Sequence, residues 1–271
     1  MRIDAHQHFW KYTPAMDWIT PEMAVIRKDF GPAQLLPLLQ QHAMDGCVTV
    51  QVDQTAEETN SLIATAAAHD FIKGVVGWID LRATDVEKQL EAYAAHSALK
   101  GFRHILQGEE PEFMLQPEFI RGLKSLHKYG FTYDILVHPI HLQAVLQLLG
   151  QCPEQSFIID HLAKPDIKSG NWSEWSEQMK KIAAFDNVYC KVSGMVTEAA
   201  WNAWQHEDFI PFLDTVSESF GTKRLVFGSD WPVCLVAGSY AEVVRIVENY
   251  FSAVEQDAVF GRNAAAFYKL T

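Results

Sequence analysis

Basic residues are scarce in this chain: 22 Lys and Arg stand against 34 Asp and Glu, a formal net charge of −12. A nucleic-acid partner needs a basic face for its phosphates, so the balance argues against one. A small anionic substrate is not excluded, because a few local Arg or Lys residues can bind it. Cysteine is equally sparse. Cys47, Cys152, Cys190 and Cys234 are scattered with no CxxC pair, which argues against a disulfide scaffold and predicts reduced core thiols. No apolar run reaches the length of a membrane span. A strand-like run beginning at residue 2 leaves no room for a signal peptide, so the expected location is cytoplasmic. Low-complexity linkers, charge blocks and composition shifts are all missing, and a single domain over 1–271 is expected. If the protein oligomerises, a homodimer is the default.

What is present is apolar and regularly spaced. The hydrophobic fraction is 48%, with 16 Phe and 8 Trp, enough for a large core. Apolar, β-branched runs predict strands over 2–9, 47–52, 74–81, 99–106, 131–138, 156–163, 187–194 and 224–230. Between them, apolar residues at i, i+3, i+4 spacing predict helices over 32–44, 56–70, 85–97, 118–130, 141–150, 173–185, 209–221 and 239–251. A last helix is expected over 255–270. Near-continuous apolar strands alternating with helices imply a parallel sheet covered by helices. Eight such units in 271 residues imply an α/β fold of the closed (β/α)8 TIM-barrel type. An open doubly wound sheet is the alternative, but it usually has fewer strands, and no Gly-rich phosphate loop follows the first one.

In a barrel of this type the site lies at the C-terminal ends of the strands. Those ends carry His6 and His8, Gln51 and Asp53, Asp80, Arg103 and His104, His138, His161, Lys191 and Ser193, and Asp230. His6 and His8, two apart on a strand, share a face, and a divalent metal accepts imidazole nitrogen and carboxylate oxygen. Alone, an HxH pair is weak evidence for a ligand role, since idle surface or core histidines are the commoner reading. In FIIDHLAKPD (157–166), Asp160 and His161 are strand neighbours that must face opposite ways, and His161 is the one expected inside. Lys164, in the following loop, can reach over the mouth or be an ordinary solvated lysine. In VFGSDWP (226–232), Asp230 is either a turn former or an inward-facing ligand and base.

Taken together, the strings DAHQHFW, KGFRH, DHLAKP and FGSDWP resemble the amidohydrolase superfamily, in its amidohydrolase 2 branch and the sugar-lactonase and pyrone-lactonase group. The resemblance runs from Ile3 to Asp230 and into the terminal helix. By position it implies metal ligands at His6, His8, His161 and Asp230, with His138 competing with His161 for one role. It implies substrate contact by Arg103 and a basic contact at Lys164. The fourth strand has no lysine to carboxylate and no bridging glutamate, so the resemblance implies one divalent ion, zinc or manganese, or none.

The activity so implied is hydrolysis of a cyclic ester, a sugar-acid 1,4- or 1,5-lactone. Asp230 would be general base, with Arg103 and Lys164 stabilising charge on the carbonyl oxygen or holding a substrate carboxylate, and His161 catalytic beside them. His138, His104, Trp10 and Trp231 are expected substrate contacts, and Trp78 is a further stacking candidate. Two rival readings are a metal-dependent non-oxidative decarboxylase of an aromatic or unsaturated acid, and a non-catalytic barrel that binds a sugar acid. The loops at 10–31 and 107–117 are expected to shape the pocket.

Overall fold

A computed structural model describes residues 1–271. Eight short parallel strands pair in chain order: β1 (Ile3–Gln7), β2 (Gly46–Val50), β3 (Ile72–Gly77), β4 (Leu99–His104), β5 (Thr132–Ile135), β6 (Phe157–Ile159), β7 (Val188–Val192) and β8 (Leu225–Phe227). The ring closes where Gln7 bridges Trp231. There His8 N and Asp230 N donate to Trp231 O and His6 O at 2.8 Å each. The architecture is a (β/α)8 TIM barrel. Helices α1 (Pro32–Gln41), α2 (Ala56–Ala68), α3 (Val86–Tyr93), α4 (Pro117–Lys128), α5 (Leu142–Gln151) and α6 (Ser173–Ala183) cover it, followed by α7 (Met195–Glu198), α8 (Ile210–Phe220), α9 (Tyr240–Tyr250), α10 (Ala253–Asp257) and α11 (Asn263–Tyr268). Helix starts follow local chemistry: Thr55 Oγ1 caps α2 by accepting from Glu58 N, and Ser239 and Glu242 form a capping box on α9.

The strands are apolar on both faces because both faces are buried. Outward residues such as Phe102, Tyr133, Phe157 and Phe227 pack under the helices. Inward, Ile3, Ala5, Val48, Val50, Val76, Ile158 and Val226 fill the lower lumen, which Phe267, Tyr268 and Leu270 close from beneath. All four cysteines are buried and unpaired, as expected of core thiols. No helix is long and apolar enough to cross a membrane.

Every strand ends before its apolar run does, and β6 and β8, at three residues each, are the shortest. β6 stops at Ile159 and β8 at Phe227, although 156–163 and 224–230 read as strand. The turns that follow are as buried as the strands, with Leu162 and Ala163 fully enclosed, so hydropathy does not mark the boundary. The expected helix over 255–270 runs without a break from Ala253 to Tyr268 but widens to a π-type turn at Ala258–Arg262. There Gly261 lies against the chain start, where a Cβ would sit 1.8 Å from Met1 O.

Candidate active site

The position of His6 and His8 depends on an irregularity in β1. Pairing with β2 passes from Asp4–Cys47 to Gln7–Thr49, three steps on one strand against two on the other. Such a bulge re-aims the side chains beyond it. Ile3 and Ala5 face the lower lumen, whereas Asp4 bonds Ser229 and Tyr240, and Gln7 bonds Cys47. Unbroken alternation from Ala5 would have turned both histidines outward. The bulge turns them in. His6 N is held by Asp4 Oδ1 at 3.3 Å, and Ser229 N and Oγ fix that carboxylate at 2.8 and 2.6 Å. Gly228 provides the room, since a Cβ there would lie 2.5 Å from His6 Cβ.

His161 arrives by another route. After Ile159 the chain enters a left-handed turn, with φ of +53°, +53°, +58° and +51° at His161, Leu162, Ala163 and Lys164. Non-glycine residues adopt this region at a cost of about 1–2 kcal/mol each. The turn cancels strand alternation, so Asp160 and His161 both reach the lumen, where only His161 was expected. Strain of this kind gathers at functional sites, and Asp230 shares it at φ +57°. Gly194 (φ +62°) lies against the imidazole, where a Cβ would come within 2.5 Å of His161 Nδ1.

Three imidazole nitrogens and a carboxylate oxygen converge on the barrel floor. His8 Nε2 lies 3.2 Å from His6 Nε2 and 3.4 Å from Asp230 Oδ1, and Asp230 Oδ1 is 3.9 Å from Nε2 of both His6 and His161. Tetrahedral zinc with bonds of about 2.0–2.1 Å sets its donors about 3.3–3.4 Å apart, so these spacings fit one small divalent ion. Ligand atoms of His6, His161 and Asp230 all lie within 4.8 Å of one another. The far nitrogens have acceptors within reach. His8 Nδ1 is 2.7 Å from Val50 O, His161 Nδ1 2.9 Å from Ser193 Oγ, and His6 Nδ1 3.4 Å from Asp160 Oδ1. Donation by His8 and His161 to these acceptors leaves their Nε2 lone pairs facing the centre, whereas His6 Nδ1 also lies 3.1 Å from the Lys191 ammonium, which can only donate to it. Arg103 Nη1 stands 3.3 Å from His6 Nε2, so it and an ion would compete for a lone pair at that nitrogen.

Burial sets the protonation states. It pushes the His161 imidazole down to about 4, against the opposing pull of Asp230. It also holds His6 well below its ordinary value, with Lys191 acting in the same direction. Both imidazoles are therefore neutral at pH 7, as a metal ligand must be. Burial alone would raise the Asp230 carboxyl. In the acid range where Asp230 titrates, His161 is protonated, and its charge with the hydrogen bond from His8 outweighs burial and keeps Asp230 below the usual carboxylate range.

Beneath the floor lies a charge network that the sequence did not reveal as such. Lys191 Nζ, fully buried, sits 2.5 Å from Asp134 Oδ2, 2.9 Å from Asp160 Oδ1 and 3.1 Å from His6 Nδ1. Tyr268 Oη donates to Asp134 Oδ2 at 2.7 Å. Arg103 Nη1 donates to Asp160 Oδ2 at 3.1 Å, and its Nη2 to the Gln51 carbonyl. The available signal was Lys191 itself, a lysine inside the apolar run VYCKVSG, since a lysine is almost never fully buried without a partner.

Above the floor opens a cavity of about 330 Å³. His8, Arg103, His161, Lys164 and Asp230 line it, with Trp10, Trp18 and Met23 from the first long loop and Gln107 from the fourth. Three expected substrate contacts lie elsewhere. Trp231 packs edge-on against Phe9 and Phe30 in the core. His104 stacks on Phe113 and bonds Glu109 and Trp78, which carries Trp78 away with it. His138 begins the turn after β5, half-buried, and neither lines the cavity nor joins the group of ligand atoms that His161 enters. Thr197, Glu198 and Trp201, after β7, complete the wall; nothing in their sequence context distinguishes them from connector residues.

The profile of the amidohydrolase family matches residues 3–270. An L-fucono-1,5-lactonase of Burkholderia multivorans is 36% identical, covering all of this chain and 96% of that one. A second L-fucono-1,5-lactonase, from Burkholderia ambifaria, is 34% identical over 99% of this chain and 96% of its own length. A crystal structure of a Burkholderia multivorans amidohydrolase with bound zinc superposes at a TM-score of 0.95, with 36% identity and full coverage of both chains. With the profile spanning nearly every residue and the barrel intact, this chain belongs to the amidohydrolase family.

Proposed function

We propose that this protein hydrolyses lactones of sugar acids to the free acids. The observation that carries the proposal is the convergence of His6, His8 and His161 Nε2 with Asp230 on the floor of a cavity sized for one sugar ring. Relatives with lactonase names at 34–36% identity support it. The three histidines and Asp230 would hold one divalent ion, zinc or manganese, which when bound supplies Lewis-acid polarisation of the lactone carbonyl.

The chain's own residues do the rest. Asp230, ionised throughout the working range, accepts a proton from the attacking water. Being a weak base, it readily returns that proton to the departing ring oxygen. Arg103, rigidly held by Asp160 and Gln51, presents fixed positive charge to the carbonyl oxygen. Trp10 and Trp18 give the wall aromatic surface against which a sugar would pack. The decarboxylase reading is disfavoured by the lactonase names of the relatives at 34–36% identity, and both cations of the wall are already paired, Arg103 with Asp160 and Lys164 with Glu198.

A pH-indicator assay on a panel of aldonolactones, with and without added Zn²⁺ or Mn²⁺, tests the proposal. Acid release is expected from at least one lactone, with kcat lowered about 10²–10⁴-fold in Asp230→Asn and a near-stoichiometric divalent ion by elemental analysis. No acid release from any lactone under either condition would overturn it.

A further inference from the structure

We propose that Glu198 is a specificity-determining residue: by neutralising Lys164 it reserves the cavity for uncharged lactones and speeds departure of the anionic product. This rests on the lactonase reading. Lys164 Nζ lies 3.3 Å from Glu198 Oε1, and the two side chains are only 20% and 21% exposed. Both line the cavity. A partly buried, unpaired ammonium in such a wall would attract any carboxylate, because the low local dielectric strengthens the attraction.

The pair is held by the backbone on both sides. Lys164 closes the left-handed turn after β6. Glu198 ends α7, and its carbonyl accepts from Lys168 N at 3.0 Å, tying the two loops together. With Arg103 matched to Asp160, no cation of the wall lacks a carboxylate.

The chemistry gives this pairing a use. Water adds to the neutral lactone, the ring C–O bond breaks, and the resulting acid loses its proton at neutral pH. The substrate is uncharged and the product is an anion. An unmasked Lys164 would retain that product and would admit lactones bearing a second carboxylate. Glu198 opposes both.

The test compares wild type, Glu198→Gln, Lys164→Met and the double variant, with circular dichroism confirming the fold of each. Substrates are an aldonolactone and an aldarolactone of the same ring size, and the aldonate salt serves as product inhibitor. In Glu198→Gln, the aldarolactone-to-aldonolactone ratio of kcat/KM should rise about tenfold and the aldonate Ki should fall about tenfold. Both changes should vanish in the double variant. Ratios that move less than twofold, or gains that persist without Lys164, overturn the inference while leaving lactone hydrolysis intact. A wild type inactive on every lactone overturns the parent reading and this one with it.

Discussion

Replacing Lys191 with methionine tests the buried network most directly. The side chains of Lys191, Asp134 and Asp160 are fully inaccessible to solvent. The substitution keeps the volume but leaves Asp134 only the Tyr268 hydroxyl, and leaves Asp160 only Arg103 and His6. Breaking a buried ion pair from one side costs about 3–5 kcal/mol, because a desolvated charge is left behind. The loss has a defined pH dependence. Burial already pushes the Asp134 carboxyl up to about 6, with Lys191 opposing, so removing the lysine raises it further. Above pH 6 the folded variant then binds a proton that folded wild type does not, and its deficit relative to wild type grows as pH rises, at about 1.4 kcal/mol per pH unit, until the new pKa is passed. Below pH 6 Asp134 is protonated in both proteins and the deficit levels off. Urea unfolding followed by Trp fluorescence at pH 5, 6, 7 and 8 reads this out, with Asp134→Asn and the double variant completing a cycle. A loss under about 1 kcal/mol at pH 8, a loss independent of pH, or strictly additive effects in the cycle would refute the argument.

Gly194→Ala should lower kcat/KM at least tenfold and destabilise the protein by about 1–2 kcal/mol. Its backbone sits at φ +62° and the new methyl would meet the His161 ring at 2.5 Å; wild-type kinetics in a folded variant would contradict this. Glu58 accepts from Val52 N and Asp53 N, and burial pushes its carboxyl up from 4.5 to about 7. The folded state therefore binds more protons than the unfolded chain between pH 4.5 and 7, and this residue's contribution to stability falls as pH rises through that window, by at most about 3 kcal/mol. Glu58→Gln should accordingly raise Tm at pH 8 and leave it nearly unchanged at pH 4.5, as differential scanning fluorimetry would show.

Much of the architecture was legible in the order of residues. Each of the eight apolar runs overlaps one strand, because a parallel strand buried on both faces must be apolar throughout, and the helical periodicity between them follows from one-sided burial. The loops at 10–31 and 107–117 do contribute to the cavity, through Trp10, Trp18, Met23 and Gln107. Strand-end polarity also drew attention to His6, His8, Arg103, His161, Lys164 and Asp230, and the barrel brings these six together. His104, His138 and Trp231 share the same sequence signal but point elsewhere, since nearness to a strand end does not specify side-chain direction.

The chain by itself determined the number of βα units, their parallel arrangement and the rim on which chemistry-bearing residues gather, because each follows from local periodicity and burial. Tertiary structure alone decided which of those residues meet. A bulge in β1 turns His6 and His8 inward, and a left-handed turn brings Asp160 in beside His161. The physical reason is that both features are backbone departures stabilised by distant groups: Gly228 and Ser229 make room for and anchor the bulge, and Gly194 makes room for the turn. The masking of Lys164 by Glu198 is of the same kind, a contact across 34 residues that no periodicity encodes.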